Sequence, residues 1–258
     1  MSIKIKNVSY KIKNKQILKN VSLIIEQGKM CAILGPNGSG KSTLIKVISG
    51  DIKPENGLVF FNKKNLIEIN IKERAKIRSV MSQSQHIFFD FSVREIIEMG
   101  WIEDNDMQHS AYDMNESLER VTNECDISSL VDRRFNSLSG GEQRRVHFAR
   151  TLIQLYNKIE LNNKRFIILD EPTSNLDLLH ELKLIRKLKE KASEGFGILI
   201  VLHDLNIAYN FADKIALMDN GEIKYTGLPK EIFSDKILTS IYKTPIIVDK
   251  KNKRINYY

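Results

Sequence analysis

Met30-Cys-Ala-Ile-Leu-Gly35-Pro36-Asn37-Gly38-Ser39-Gly40-Lys41-Ser42-Thr43-Leu-Ile-Lys-Val-Ile48 is the stretch on which the fold turns. Its first five residues form a continuous apolar run, the pattern of a strand buried on both faces of a parallel sheet. Gly35 to Ser42 then match the eight-position phosphate loop G-x-x-x-x-G-K-[ST], and Thr43 to Ile48 read as the helix that should follow it. Glycines let the backbone approach a phosphate closely, and bare amides with the positive helix end attract the anion. In such a loop Lys41 supplies a cation to the β and γ phosphates, and the Ser42 hydroxyl is placed to ligate Mg²⁺. The competing account, a glycine-rich turn before an ordinary capped helix, does not explain strand, loop and helix in register.

Outward from this segment, strands and helices alternate, which implies an α/β protein with a parallel sheet. Ile3 to Ile12 and Val21 to Ile25 read as strands. Phe166 to Leu169 and Gly197 to Leu202 have buried-strand composition, separated by a helix in which Leu178, Leu182, Ile185 and Leu188 recur. Between about 86 and 155 the character becomes helical, with predicted helices over Val93 to Met99, Met114 to Glu124 and Glu142 to Leu155. This reads as an insert at 86–155 within a core of 1–85 and 156–242, followed by a basic C-terminal tail at 243–258.

The 258 residues carry a formal charge of +8, of which residues 1–34 hold +6 and residues 243–258 hold +4, leaving −2 between them. Basicity gathered at the ends is not the continuous stripe of a nucleic-acid surface, so no nucleic-acid partner is expected. The tail, with Lys250, Lys251, Lys253 and Arg254, reads as a solvated or frayed end, or else as a site for anionic lipid. No apolar run reaches the roughly 18 residues of a membrane span, and the start lacks a signal-peptide core, so a soluble chain is expected. The two cysteines, Cys31 and Cys125, are far apart and read as small buried hydrophobes.

Two further segments carry chemistry. In Phe166-Ile-Ile-Leu-Asp170-Glu171-Pro172 two acids end a buried strand, at the crevice where α/β proteins bind ligands. Asp170 is placed to hold Mg²⁺, and Glu171 to polarise water as general base. In Leu138-Ser139-Gly140-Gly141-Glu142-Gln143, Ser139 and Glu142 have capping-box spacing. That leaves Gly140 and Gly141 unexplained, since glycine costs about 1 kcal/mol relative to alanine within a helix. They suit a helix end approached closely by an anion, here the γ phosphate of a nucleotide bound to another copy.

With this ordered set of motifs, the chain resembles the nucleotide-binding subunits of ATP-binding cassette (ABC) transporters over roughly residues 1–240. The resemblance implies a P-loop NTPase fold with a RecA-like core, an N-terminal antiparallel β subdomain and an inserted α-helical subdomain. It implies ATP and Mg²⁺ as cofactors and hydrolysis within a homodimer, each nucleotide held by Lys41 and Ser42 of one chain and by Ser139, Gly140, Gly141 and Asp177 of the other. Tyr10, 25 residues before Gly35, resembles the aromatic that stacks on adenine. Gln83 resembles the residue that senses Mg²⁺ and the attacking water, with Ser82 where a proline often stands. Asp177 in Ser174-Asn-Leu-Asp177 resembles the loop crossing the dimer interface, and also suits a helix N-cap. His203, alone among the histidines in ending a core strand beside the crevice, resembles the switch histidine that contacts the γ phosphate; no histidine metal site is expected.

The family further implies an integral-membrane permease dimer, indirectly a substrate-binding protein, and a peripheral place on the cytoplasmic face of a bacterial inner membrane. Permease contact is expected near Gln83 to Trp101, where His86-Ile-Phe-Phe-Asp-Phe91 suits either a partner or local packing. Phe91 to Gly100, Pro172 to His180 and Leu202 to Ala208 look like importers of haem, ferric siderophores or cobalamin. The long link between Arg150 and Phe166, with Gln154-Leu-Tyr156, is similar to the haem-import branch. Only 96 positions separate Ser42 from Leu138, which excludes a chromosome-type cassette with a coiled-coil insertion. A soluble non-transport cassette would usually carry two copies of each motif.

Overall fold

The computed structural model describes residues 1–83, 87–102, 111–156 and 165–257. The chain begins with β1 (Ser2–Ile12) and β2 (Lys15–Glu26), an antiparallel pair, and passes into β3 (Met30–Leu34). Then come α1 (Lys41–Ser49), β4 (Asn56–Phe61), β5 (Lys64–Asn65), α2 (Ile71–Ile77) and β6 (Arg78–Met81). The first sheet has the order β2-β1-β4-β5, antiparallel throughout. Its inner face is set by alternation in β1, where Ile3, Ile5 and Val8 are buried while Lys4 and Lys6 are exposed.

The helical segment consists of α3 (Val93–Glu98), α4 (Ala111–Glu124) and α5 (Gly140–Ile153). The chain returns through β7 (Phe166–Asp170), α6 (Leu178–Ser193), β8 (Gly197–Val201), α7 (Leu205–Phe211), β9 (Lys214–Asp219) and β10 (Glu222–Gly227). The second sheet is ordered β10-β9-β3-β8-β7-β6, parallel except for β10 at its edge. β3 lies inside this sheet, which is why all five of its residues are apolar and buried.

Alternate residues of the parallel strands serve two cores. Cys31, Ile33, Ile168 and Leu199 pack against α1 and the antiparallel sheet, whereas Ala32, Leu34, Leu169 and Ile200 pack against α5, α6 and α7. Both cysteines are buried and free, and burial pushes the Cys31 thiol up to about 12. The apolar stripe of α6 reaches the core through Leu184, Ile185, Leu188 and Ala192, while Leu178, predicted as part of it, is 69% exposed. Residues 157–164 of the long link and His86 lie outside the described residues, as does His109. Among the described residues no helix is long and apolar enough to cross a membrane.

The C-terminal end differs from the expected solvated tail. After α8 (Pro229–Ile232) and α9 (Asp235–Tyr242), residues of the basic segment form an antiparallel hairpin of β11 (Ile246–Asp249) and β12 (Arg254–Tyr257). The charges Lys250, Lys251 and Lys253 occupy its exposed turn, but Ile246 and Ile255 are each 4% exposed and belong to the larger core. The charge pattern concealed two apolar anchors spaced for opposite strands. Ile255→Ala should therefore cost about 2–5 kcal/mol of stability, read as a lowered urea midpoint, whereas a residue in a solvated tail would stay within about 0.5 kcal/mol.

Candidate nucleotide site

Register brings the chemistry to one edge. Ile33 pairs with Val201, and Val201 with Asp170, so β3, β8 and β7 end level with one another. Met81 pairs with Leu169, which places Gln83 at the same edge. The turn after β3 needs its glycines: Gly35 has φ 146°, and a Cβ there would lie 2.0 Å from the Met218 carbonyl oxygen. Gly40, at φ 105°, forms the non-helical cap from which α1 starts, so the Lys41 to Thr43 end of the helix opens onto the cleft.

Lys41 is only 5% exposed, and its ammonium donates to the carbonyl oxygens of Gly35 at 2.8 Å and Pro36 at 3.1 Å. Burial holds its pKa below the usual lysine value, and the charges of Glu171 and Asp170 partly restore it. Asp170 is also buried, which pushes its carboxyl above the ordinary range against a hydrogen bond from Ser42. Its Oδ1 is a buried acceptor without a hydrogen-bond partner in the protein. An unsatisfied carboxylate oxygen beside a serine hydroxyl at the foot of a phosphate loop fits a hard divalent cation such as Mg²⁺.

Glu171 sits one residue beyond the strand in the left-handed region, at φ 52°. Such a conformation costs a non-glycine residue about 1–3 kcal/mol and turns the side chain away from the strand direction. Its two carboxylate oxygens are divided between partners: Gln83 Nε2 donates to Oε2 at 2.9 Å, and His203 Nε2 lies 2.7 Å from Oε1. Glu171, Gln83, His203, Asn37, Gly38 and Gly40 to Thr43 line a cleft of about 510 Å³, which β2 completes with Lys15 and Ile17. Those last two residues had no signal in the sequence, where they fall between the strands read at Ile3 to Ile12 and Val21 to Ile25; the fold extends β2 back to Lys15. Tyr10, paired with Leu18, is half-buried against the smaller core and is not among the lining residues.

Ser139, Gly140, Gly141 and Asp177 do not line the cleft of their own chain. The expected capping box is present, with Glu142 Oε2 accepting from Ser139 N and Oγ at 2.8 Å each. Asp177 caps α6, accepting from His180 N at 2.8 Å. The two glycines separate here. A Cβ on Gly141 would lie 3.1 Å from the Asn175 carbonyl oxygen, a tight contact within this chain, whereas one on exposed Gly140 would meet only the Asn175 Cβ at 3.8 Å. Gly140 is the position left open to an outside group.

The ABC transporter family pattern matches residues 18–174. The Hemin import ATP-binding protein HmuV of Escherichia coli O157:H7 is 38% identical over 247 residues, which is 95% of this chain and 94% of that one. The chain belongs to the ABC transporter family. It is an ATP-binding cassette, the subunit that binds and hydrolyses ATP. A protein also named HmuV, from Pseudoalteromonas translucida (strain TAC 125), is 36% identical over 92% of this chain and 90% of its own. Among solved structures the cassette is similar to dimeric MJ0796, a bacterial ABC transporter cassette, at 28% identity and TM-score 0.78, covering 88% of this chain and 98% of that one.

One residue that motif reading passed over ties the cassette's parts together. The guanidinium of Arg144, buried in the second turn of α5, donates to the Gln83 carbonyl at 2.9 Å, to Asp170 at 3.0 Å and to Pro172 at 3.2 Å, and also to the Glu171 carbonyl. Only a planar fork of donors can collect carbonyls from two loops in this way. The available signal was a charge on the inner face of a helix, five residues after Ser139. Arg144→Lys keeps the charge but strands several buried acceptors. It should cost about 1–3 kcal/mol in chemical denaturation and slow ATP hydrolysis while leaving nucleotide binding largely intact.

Proposed function

We propose that this cassette is the ATPase subunit of a haem (hemin) importer. The observation that carries the cargo is that seven similar proteins, 33% to 38% identical to it, all bear the name Hemin import ATP-binding protein. The cassette works as a homodimer under a membrane permease dimer that receives cargo from a substrate-binding protein, and so lies on the cytoplasmic face of the inner membrane. The dimer reading is supported by the solved dimer of MJ0796 and by its post-hydrolysis dimer bound to ADP and Pi. The core is 1–85 with 156–242, and the insert is 86–155. Phe88 and Phe89, 88% and 72% exposed, form the apolar end of that insert offered to the permease.

ATP enters the cleft with its phosphates along Gly35, Pro36, Asn37, Gly38, Ser39 and Gly40 to Thr43, and its adenine towards the end of the β1–β2 pair, where Tyr10 is the candidate aromatic. Lys41 exchanges its two loop carbonyls for β and γ phosphate oxygens. Ser42, Asp170 and Gln83 are the residues that would hold Mg²⁺, which when bound neutralises phosphate charge. Glu171, aimed by Gln83 and His203, takes a proton from the attacking water as its oxygen bonds to the γ phosphorus and the bond to the β-phosphate oxygen breaks, releasing ADP and phosphate. Water attack waits for closure, because Ser139, Gly140, Gly141 and Asp177 reach this nucleotide only from the partner subunit.

Glu171→Gln should keep ATP binding, lose turnover and accumulate an ATP-dependent dimer on size exclusion; hydrolysis near the wild-type rate would remove Glu171 as base. Ser139→Arg should leave ATP binding to the monomer intact yet prevent dimer closure and hydrolysis. For the cargo, a deletion strain should fail to grow with haem as sole iron source, and wild type but not Glu171→Gln should rescue it. Normal growth on haem with a defect on siderophore iron or in cobalamin use would keep the mechanism and replace the cargo.

A further inference from the structure

The C-terminal hairpin is fastened to a helix that begins at the nucleotide site. His203 is followed by Asp204, the N-cap of α7, whose Oδ1 accepts from the amides of Asn206 at 2.6 Å and Ile207 at 3.0 Å. The Asn206 side chain points the other way, into the hairpin: its Oδ1 accepts from Ile255 N at 2.8 Å, and its Nδ2 donates to the Ile255 carbonyl at 3.2 Å. One turn on, Asn210 Nδ2 donates to the Lys253 carbonyl at 3.2 Å. A two-way amide bond of this kind pins a backbone in both translation and rotation, because donor and acceptor must be satisfied together.

The hairpin itself is not free to move with α7. β11 is tied to α9 through Ile246 N to Thr239 Oγ1 at 3.1 Å and Val248 N to Asp235 Oδ1 at 2.7 Å. Ile246 and Ile255 anchor both strands in the core. At its far end α9 carries Tyr242, whose half-buried ring packs against the larger core and whose hydroxyl faces the backbone amide of Gly35. The unit from α9 to β12 thus touches the phosphate loop at one end and the first turn of α7 at the other. His203 directly precedes that first turn, and its Nε2 lies 2.7 Å from Glu171 Oε1 at the end of β7.

We propose that the C-terminal hairpin sets the position of His203 through Asn206, making Asn206 a positioning residue for ATP hydrolysis. The inference rests on the reading of His203 and Glu171 given above. The hairpin fixes the first turn of α7, the turn fixes the Asp204 cap, and the cap fixes the direction in which His203 leaves β8. His203 is 52% exposed and has little packing of its own to hold it, so its aim depends on the backbone behind it. The energy of the link need not be large, since a small displacement of a group beside the reacting atoms is enough to slow chemistry.

The test is steady-state ATPase kinetics of Asn206→Ala and of Asn206→Asp in the full chain, each with nucleotide affinity and thermal stability measured alongside. Asn206→Ala should lower kcat by about ten-fold or more with KM and nucleotide Kd unchanged, and should have no further effect on kcat in a His203→Ala background. Asn206→Asp keeps the acceptor for Ile255 N and should fall between the two, which preserves the test where alanine weakens folding. Lys251→Ala, in the exposed hairpin turn, should behave as wild type. A wild-type kcat in Asn206→Ala, a loss carried by KM, or the same further loss without His203 would overturn the link. His203→Ala with a wild-type kcat would overturn the site reading beneath it as well, and would be seen in the single variant alone.

Discussion

The parallel register of β3, β8 and β7 is the constraint on which the site depends. Ile33, Val201 and Asp170 stand in one row, so the phosphate loop, His203 and the Asp170-Glu171 pair all leave the sheet at the same level. A one-residue slip would turn each strand's apolar residues to the opposite face, and both cores resist that. The strands are far apart in sequence, separated by α1, the helical segment and α6. Their alignment is enforced by burial on both faces of the sheet and needs no contact between the functional groups themselves.

On that frame the polar groups are held under electrostatic tension. Lys41 and Asp170 are both buried, and burial moves each pKa toward the neutral form. Lys41 answers with two loop carbonyls, while one oxygen of Asp170 has no protein partner. Such a pocket favours a ligand that brings both anion and cation, as a nucleotide phosphate with a divalent metal does. Arg144 supplies the opposite feature, a cation satisfied by backbone carbonyls on the far side of the same acids. It holds Gln83 and Glu171 in one arrangement and joins them to the helix that starts at Ser139.

Ser139, Gly140, Gly141 and Asp177 are absent from the lining of their own chain's cleft, which is what the shared site proposed above requires. On the dimer reading proposed above, exposed Gly140 and the capped helix end beside it, which do not line their own chain's cleft, take their chemical purpose from a second copy. Gly141 has an additional reason in the Asn175 backbone beside it. On that proposal one short segment serves packing within a cassette and contact between cassettes.

Local patterns with a single physical meaning were legible in the chain: the apolar runs of β3, β7 and β8, the phosphate loop that demands glycine at positive φ, the Ser139–Glu142 capping box and the Asp177 cap. Each depends on residues within about a turn of one another, so order along the chain is enough to state it. What the tertiary structure decided depends on long-range packing. Arg144 reads as one more charge on a helix until two loops close around it, Lys15 and Ile17 become cleft residues only when β2 folds beside the phosphate loop, and Tyr10 turns partly toward the core. The basic end reads as solvated because charge dominates its composition, yet two isoleucines opposite the core and one asparagine on α7 are enough to fold it. Sequence determined which chemistry the chain carries, since that chemistry is local; the fold decided which distant residues aim it, since aim is set by contacts that composition does not record.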